Sequence, residues 1–328
     1  MLRKFLFSMT ALAAIMAGPA AAGDFDKYVP EGAKFFAHVN VPKLFASEMV
    51  RKTVPMAFDK YSDQIVSLAG MAKQFNPNAP DIPEDQMKAG LKQMADPNVI
   101  AKAFDAAGPV VTDVVVAGSV VDDEPNVVIV IKCAFFTPEG AAQVAGMAGG
   151  MPGMPAKIET IKKSKGTIYA MDIPGAPNKV YMAIPENGIL HISMREENAE
   201  KAFAAASKPT AELAQLMTKR NKDDFVFFAG LGADKDEYTS MSGNITLDKD
   251  LNVNASRTFK DEAKAKEEAQ KMNEHFAEMS DQIKGAIGEN AQALKPHLEK
   301  SKATVDGKTV KAKISIPGSA VEKLLGKD

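Results

Sequence analysis

The chain has one cysteine, Cys133, no tryptophan and only four histidines among 328 residues. A single thiol has no partner in its own chain, so no intrachain disulfide is available and stability must come from packing. Cys133 lies in the apolar run Val127 to Phe136, which marks it as a buried thiol rather than a nucleophile. Charge of one sign is also missing. Without Arg3 and Lys4, 38 basic residues face 42 acidic ones, a net charge of −4. That balance carries no footprint for nucleic acid. After the first twenty residues no hydrophobic run reaches the roughly 20 residues a membrane helix needs.

What is present begins at the N-terminus. Arg3 and Lys4 form a positive start, Phe5 to Gly18 an apolar stretch, and Pro19 a break before Ala20-Ala21-Ala22. This order of elements reads as a secretory signal peptide over residues 1–22, cleaved to leave Gly23 as the new N-terminus. The expected location is therefore periplasmic or secreted, with a bacterial style of signal and no membrane span after cleavage. No cysteine follows the apolar stretch, which argues against a lipoprotein anchor.

The mature chain alternates strands and helices. Strands are expected at Ala33–Val41, Val110–Val121, Val127–Phe136, Lys157–Ile161, Thr167–Ile173, Lys179–Ile184 and Ile189–Met194. Between the second and third, Asp122 to Asn126 reads as a turn. Asn187-Gly188 marks another, because Asn-Gly readily takes positive φ. Helices are expected over Leu44–Phe75, broken or kinked at Pro55, over Glu84–Met94, from Asp96-Pro97 to Gly108, over Glu139–Met147 and over Glu196–Ala206. The pattern then restarts with a helix at Ala211–Arg220, a strand at Phe225–Leu231 and a hairpin of Ser242–Leu247 with Leu251–Phe259. A long helix, Lys260–Ile287, carries Glu262–Lys266 and Glu267–Lys271 pairs four residues apart. A helix broken near Pro296, a hairpin turning at Asp306-Gly307 and a helix over Ser319–Leu325 end the chain.

Lined up by element, two halves correspond, 23–206 and 207–328, with unequal spacing and few identities, so that chance recurrence of a common hairpin-helix motif is the alternative to a duplication. Each opens on Phe-Phe-Ala, at Phe35-Phe36-Ala37 and Phe227-Phe228-Ala229. Each continues with a hairpin whose first strand carries Ala117-Gly118 or Ser242-Gly243, and whose second begins Asn126-Val127 or Asn252-Val253. The expected fold is α+β: two related halves, each a mainly antiparallel sheet with helices packed on one face. The first half carries a helical insertion, Leu44–Ala107. The entry Tyr28-Val29-Pro30-Glu31-Gly32-Ala33-Lys34-Phe35-Phe36-Ala37-His38-Val39-Asn40-Val41, directly after a signal peptide, resembles uncharacterised exported bacterial proteins that open on a Pro-x-x-Ala-x-Phe strand and carry repeated hairpin-helix units. That resemblance implies an exported α+β protein and brings no activity.

Chemical motifs fail one by one. Gly307-Lys308-Thr309 ends like a phosphate loop, but position 302 is Lys302 where a glycine is required. Gly230-Leu231-Gly232 lacks its third glycine, since position 235 is Lys235. Asp248-Lys249-Asp250-Leu251-Asn252 begins like a calcium loop, but Val253 and Phe259 stand where Gly and Glu are needed. Asp122-Asp123-Glu124 reads as a solvated turn. His38, His191, His275 and His297 show no zinc spacing, and no Gly-x-Ser-x-Gly elbow occurs. Asn244-Ile245-Thr246 and Asn254-Ala255-Ser256 match a glycosylation sequon inside expected strands.

Met147, Met151 and Met154 in a Gly/Pro stretch offer three thioethers, a donor type that selects Cu(I). No catalytic, cofactor or metal residue is assigned. The function expected is that of a non-enzymatic binding or structural protein with an unidentified protein or small-molecule partner. Two alternatives are an exported hydrolase with a dispersed site using His38 or His191, and a Cu(I) binder through the methionine segment. Equal Cu(I) affinity of the wild type and a Met147→Leu/Met151→Leu/Met154→Leu variant would end the last. Export makes a direct prediction: intact-mass analysis of the exported protein gives a chain starting at Gly23, and a chain retaining residues 1–22 would contradict the signal assignment.

Overall fold

A computed structural model describes residues 25–75, 83–107, 110–121, 124–140, 158–172, 179–205, 208–287 and 292–326. The signal segment 1–22, the Asp122-Asp123 turn and the segment holding Met147, Met151 and Met154 lie outside these residues. The fold is α+β, with antiparallel strand pairs throughout the registers seen. Two compact units form. The first takes the described parts of Met1–Lys43, Gly108–Ile245 and Ala255–Lys260; the second those of Leu44–Ala107, Thr246–Asn254 and Asp261–Asp328. These units are defined by packing, whereas the halves 23–206 and 207–328 describe the order of elements along the chain.

The strands are β1 (Phe35–Asn40), β2 (Val111–Val121), β3 (Glu124–Cys133), β4 (Ile158–Lys163), β5 (Gly166–Met171), β6 (Val180–Glu186), β7 (Ile189–Ser193), β8 (Val226–Leu231), β9 (Tyr238–Leu247), β10 (Asp250–Phe259), β11 (Lys302–Asp306) and β12 (Thr309–Pro317). The helices are α1 (Val41–Ala46), α2 (Glu48–Phe75), α3 (Glu84–Met94), α4 (Pro97–Ala107), α5 (Glu196–Ala202), α6 (Ala211–Met217), α7 (Glu262–Ile287), α8 (Lys295–Leu298) and α9 (Gly318–Leu324).

In the first unit the strand order is β10-β9-β8-β1-β2-β3-β7-β6-β5-β4. The two Phe-Phe-Ala strands pair with each other, Phe36 opposite Ala229 and His38 opposite Phe227. Outward from that pair the order is β1-β2-β3 on one side and β8-β9-β10 on the other. The triplets are one residue out of step, however. Gly118 faces Phe35, while Gly243 faces Phe228. A one-residue offset exchanges the two faces of a strand, so Phe35 corresponds in topology to Phe228.

Because side chains alternate along a strand, the registers define two faces. One row runs Phe227, His38, Val115, Val130, His191, Ala183, Ile168. This face is buried beneath the segment Phe25–Ala33, α5 and α6. Its core includes Phe25, Tyr28, Val29, Phe36, Leu213 and Leu216, and a smaller cluster joins Ile168, Ala183 and Ala199. Thr210 caps α6 by accepting from Leu213 N–H. Asn198 pins α5 to the sheet, donating to Asn126 Oδ1 at 2.6 Å and Ser193 Oγ at 3.3 Å.

In the second unit α2 packs with α3, α4 and α9. The Phe45 and Phe104 rings lie 4.8 Å apart, and Arg51 pairs with Asp105. Helix α2 continues through Pro55 instead of ending there. The ring removes one helical hydrogen bond, but Pro55 is itself buried, so packing holds the helix. Helix α7 lies on β11 and β12, where Asn273 bonds both the N–H and the carbonyl of Ala303. Leu294, Leu298 and Ala320 pack with Met279, Ile314 and Ile316. The Glu262–Lys266 and Glu267–Lys271 pairs form at 2.7 and 2.6 Å. Phe276 of this helix is buried.

Several local readings shift. The β2–β3 connection is tighter than the turn Asp122 to Asn126, because Val121 already pairs with Glu124 and Ser119 with Asn126. Asp96 caps α4, accepting from Asn98 N–H at 2.8 Å. Val253 and Phe259 lie on β10, so the acidic stretch before them is a hairpin turn and not a calcium loop. Gly307-Lys308 is likewise the β11–β12 turn, with Gly307 at φ +57°. Both sequon asparagines lie within strands, Asn244 on β9 and Asn254 on β10.

Gly118 shows why the first strand pair tolerates no side chain there. A Cβ would overlap the backbone carbonyl of Asn126 and press on Val127 Cα. Gly118→Ala is expected to destabilise the protein by about 1–3 kcal/mol, read from the urea midpoint. An unchanged midpoint would show that β2 and β3 are not this close.

Candidate functional site

The covered face carries unusual polar groups for a core. His38 comes from the middle of β1 and Asp113 from β2, one step along from the His38–Val115 pair. His38 Nε2–H donates to Asp113 Oδ1 at 2.7 Å, with side-chain exposures of 7% and 0%. Register forces the meeting: Asp113 sits opposite Asn40, beside a bulge between Val111 and Asp113 that re-aims the strand. Asp113 Oδ2 has no partner among the described residues.

His191 lies in the same row, three strands from His38. At about 4.8 Å per strand the two imidazoles are roughly 14 Å apart and share no site. Val130 and Ala183 flank His191 across the sheet, and the Tyr28 ring centroid is 6.3 Å away. Its Nδ1 is buried and has no partner among the described residues. Burial disfavours the charged form, pushing its pKa down from 6.5 to about 4.

The third polar group is Arg220, just beyond α6. Its guanidinium lies 5.4 Å from the Phe36 ring centroid and 3.5 Å from Asp26 Oδ1. Its Nε and Nη1 are buried and have no partner among the described residues. Desolvation raises the pKa of Asp26, partly opposed by Arg220.

These groups do not assemble an active site. His38 is engaged by Asp113 and covered by Phe25, whose ring centroid is 6.1 Å away. Cys133 is buried as a free thiol, as its apolar run implies. His275 and His297 belong to α7 and α8 of the other unit. Among the described residues, no group of three or more His, Cys, Asp or Glu is placed to hold a metal ion. No described helix is long and apolar enough to cross a membrane.

The opposite face of the same strands is different. One row runs Phe228, Ala37, Val116, Ile129, Ile192, Met182, Tyr169. Beside it runs Val226, Val39, Val114, Ile131, Leu190. Neither row contains a charged residue. Ala37, Val39, Val114 and Val116 are buried, whereas Phe228, Ile129, Ile192, Met182, Ile131, Leu190 and Val226 stay partly exposed. The helices of this unit, α5 and α6, pack with their apolar residues on the first face. Residues 114–117 of β2 and 127–131 of β3 are unbroken apolar runs. Such runs mark strands apolar on both sides, but did not say which side would keep access to solvent.

No family model matches the chain, and no curated protein matches it. Two solved structures are similar over most of its length. Crystal form I of TP0453 matches with a TM-score of 0.42 at 10% identity, covering 94% of this chain and 100% of that one. Crystal form IV of TP0453 gives 0.40 at 9% identity, covering 92% and 96%. A likeness this slight carries no argument about function.

The His38–Asp113 pair is instead structural. Removing one partner of a buried pair leaves the other uncompensated, at a cost of about 3–5 kcal/mol. Asp113→Ala is expected to lose stability of that order in urea unfolding. A loss below about 1 kcal/mol, the range of exposed pairs, would contradict it.

Proposed function

We propose that this protein is an exported, non-enzymatic binding protein, periplasmic or secreted, and that it takes up an apolar small molecule on the second face of the strands of its first unit. The observation that supports this reading is the uncharged double row from Phe228 to Met182, with its partly exposed side chains. Its contiguous partly exposed members, Ile129, Ile131, Leu190, Ile192 and Met182, lie on β3, β7 and β6, roughly 10 Å across at 4.8 Å per strand. Ligand sites are mostly apolar and recessed.

The size of the surface favours a small ligand over a protein. The exposed parts of seven such side chains amount to on the order of a few hundred Å², against about 800 Å² per partner in a standard protein interface. A monomer's largest apolar patch of this size is often functional. A hydrolase reading would need an accessible base, and His38 lies beneath Phe25 and is held by Asp113. The two related halves remain the economical account of why β1-β2-β3 and β8-β9-β10 share one order.

Ile129 sits near the centre of the row, between Val116 and Ile192. Ile129→Glu places a charge on the face without touching the covered core. N-phenylnaphthylamine, an uncharged fluorophore, is expected to bind the wild type and to lose at least tenfold in affinity to this variant, with the urea midpoint moving little. Equal binding by a folded Ile129→Glu protein would refute the site.

A further inference from the structure

We infer that Phe25–Ala33 is an acid-released strap, seated over the polar groups of the covered face at neutral pH and lifted when His191 takes a proton.

The geometry that carries this is how the segment is held. Among the described residues its backbone hydrogen bonds are local: Tyr28 N–H to Phe25 O, Val29 N–H to Asp26 O and Ala33 N–H to Pro30 O. Among the described residues the first bond from this end of the chain to a strand is Lys34 N–H to Gly118 O. Side chains do the rest. Phe25, Tyr28, Val29 and Ala33 are at most 2% exposed. Asp26 faces Arg220, Lys27 pairs with Glu186 at 3.0 Å, and the Lys132 ammonium lies 6.0 Å from the Phe25 ring. A segment without ladder bonds opens as a unit more easily than a strand does.

Beneath it, His191 has a buried Nδ1 with no partner among the described residues and the Tyr28 ring beside it. The charged and titratable groups around this face are Asp26, Lys27 and Tyr28 on the strap, His38, Asp113 and Lys132 on β1 to β3, Glu186 on β6, and Arg220. Helix α5 turns Asn198, Ala199 and Ala202 inward and directs Glu196 and Glu200 to Lys163. No carboxylate is paired with His191 among these contacts, so its imidazolium finds no compensation while the strap is seated.

The direction follows from proton counting. Exposed His191 titrates near 6.5 and the buried ring near 4. Between those values the lifted state binds more protons, so seating is fully favoured above pH 6.5 and weakens as pH falls to 4. Asp26 acts the other way, because burial raises its pKa, and offsets part of the change. The lifting equilibrium should rise on the order of 100-fold between pH 7 and pH 4.

Hydrogen exchange with mass-spectrometric readout of peptides spanning 25–34, corrected for intrinsic rates, tests this from pH 7.5 to 4. The wild-type strap should lose protection on that order while β1, β2 and β3 keep theirs. In His191→Leu, or in His191→Gln if the leucine variant does not fold, the strap should stay protected. Strap protection independent of pH, lost equally in both proteins, or lost together with the strands would overturn the proposal.

Discussion

The structure depends on the double pairing of β1. Six residues, Phe35 to Asn40, pair on one side with β2 and on the other with β8. This places Phe36, His38 and Asn40 on one face and Phe35, Ala37 and Val39 on the other. Everything in the first unit inherits that choice. Slipping β1 by one residue would send His38 to the apolar face and leave Asp113 buried without its partner, an error costing several kcal/mol. The buried His38–Asp113 bond therefore fixes register, and register decides which face the helices cover.

The two faces then follow different rules. Under Phe25–Ala33, α5 and α6, the core is closed, and its polar members cost stability unless paired. His38 and Asn198 have partners, as does one oxygen of Asp113, while among the described residues Asp113 Oδ2 and nitrogens of His191 and Arg220 have none. The two rows of the opposite face carry no charged residue, and the Tyr169 hydroxyl is their one polar side-chain group. Their residues are mainly the aliphatic and aromatic types that a strand favours, buried at Ala37, Val39, Val114 and Val116 and partly exposed on β3, β7 and β6.

Much of the architecture was legible in the sequence. Turn chemistry located Asn187-Gly188 and Asp306-Gly307, and charge spacing foretold the pairs along α7. Alternation and apolar runs identified the strands, and the α+β class followed. Less legible were properties that depend on pairing between distant segments. The Phe-Phe-Ala triplets suggested a repeat, but not that their strands would lie side by side with the triplets one residue out of step. Pro55 reads as a break, and tertiary packing overrides it. No local motif announces that His38 will meet Asp113, because the partners are 75 residues apart and only strand register joins them. Nor does sequence reveal which side of an all-apolar strand is covered, since both sides look alike.

The central claim is that the apolar face of the strands of the first unit, and not their covered face, receives a ligand. Methyl NMR spectra recorded during titration with N-phenylnaphthylamine test it residue by residue. The account predicts shifts concentrated on Ile129, Ile131, Leu190, Ile192 and Val226, with Ile168, Ile189, Val128 and Val130 unmoved. Shifts confined to the second group, or no saturable shifts at all, would contradict it.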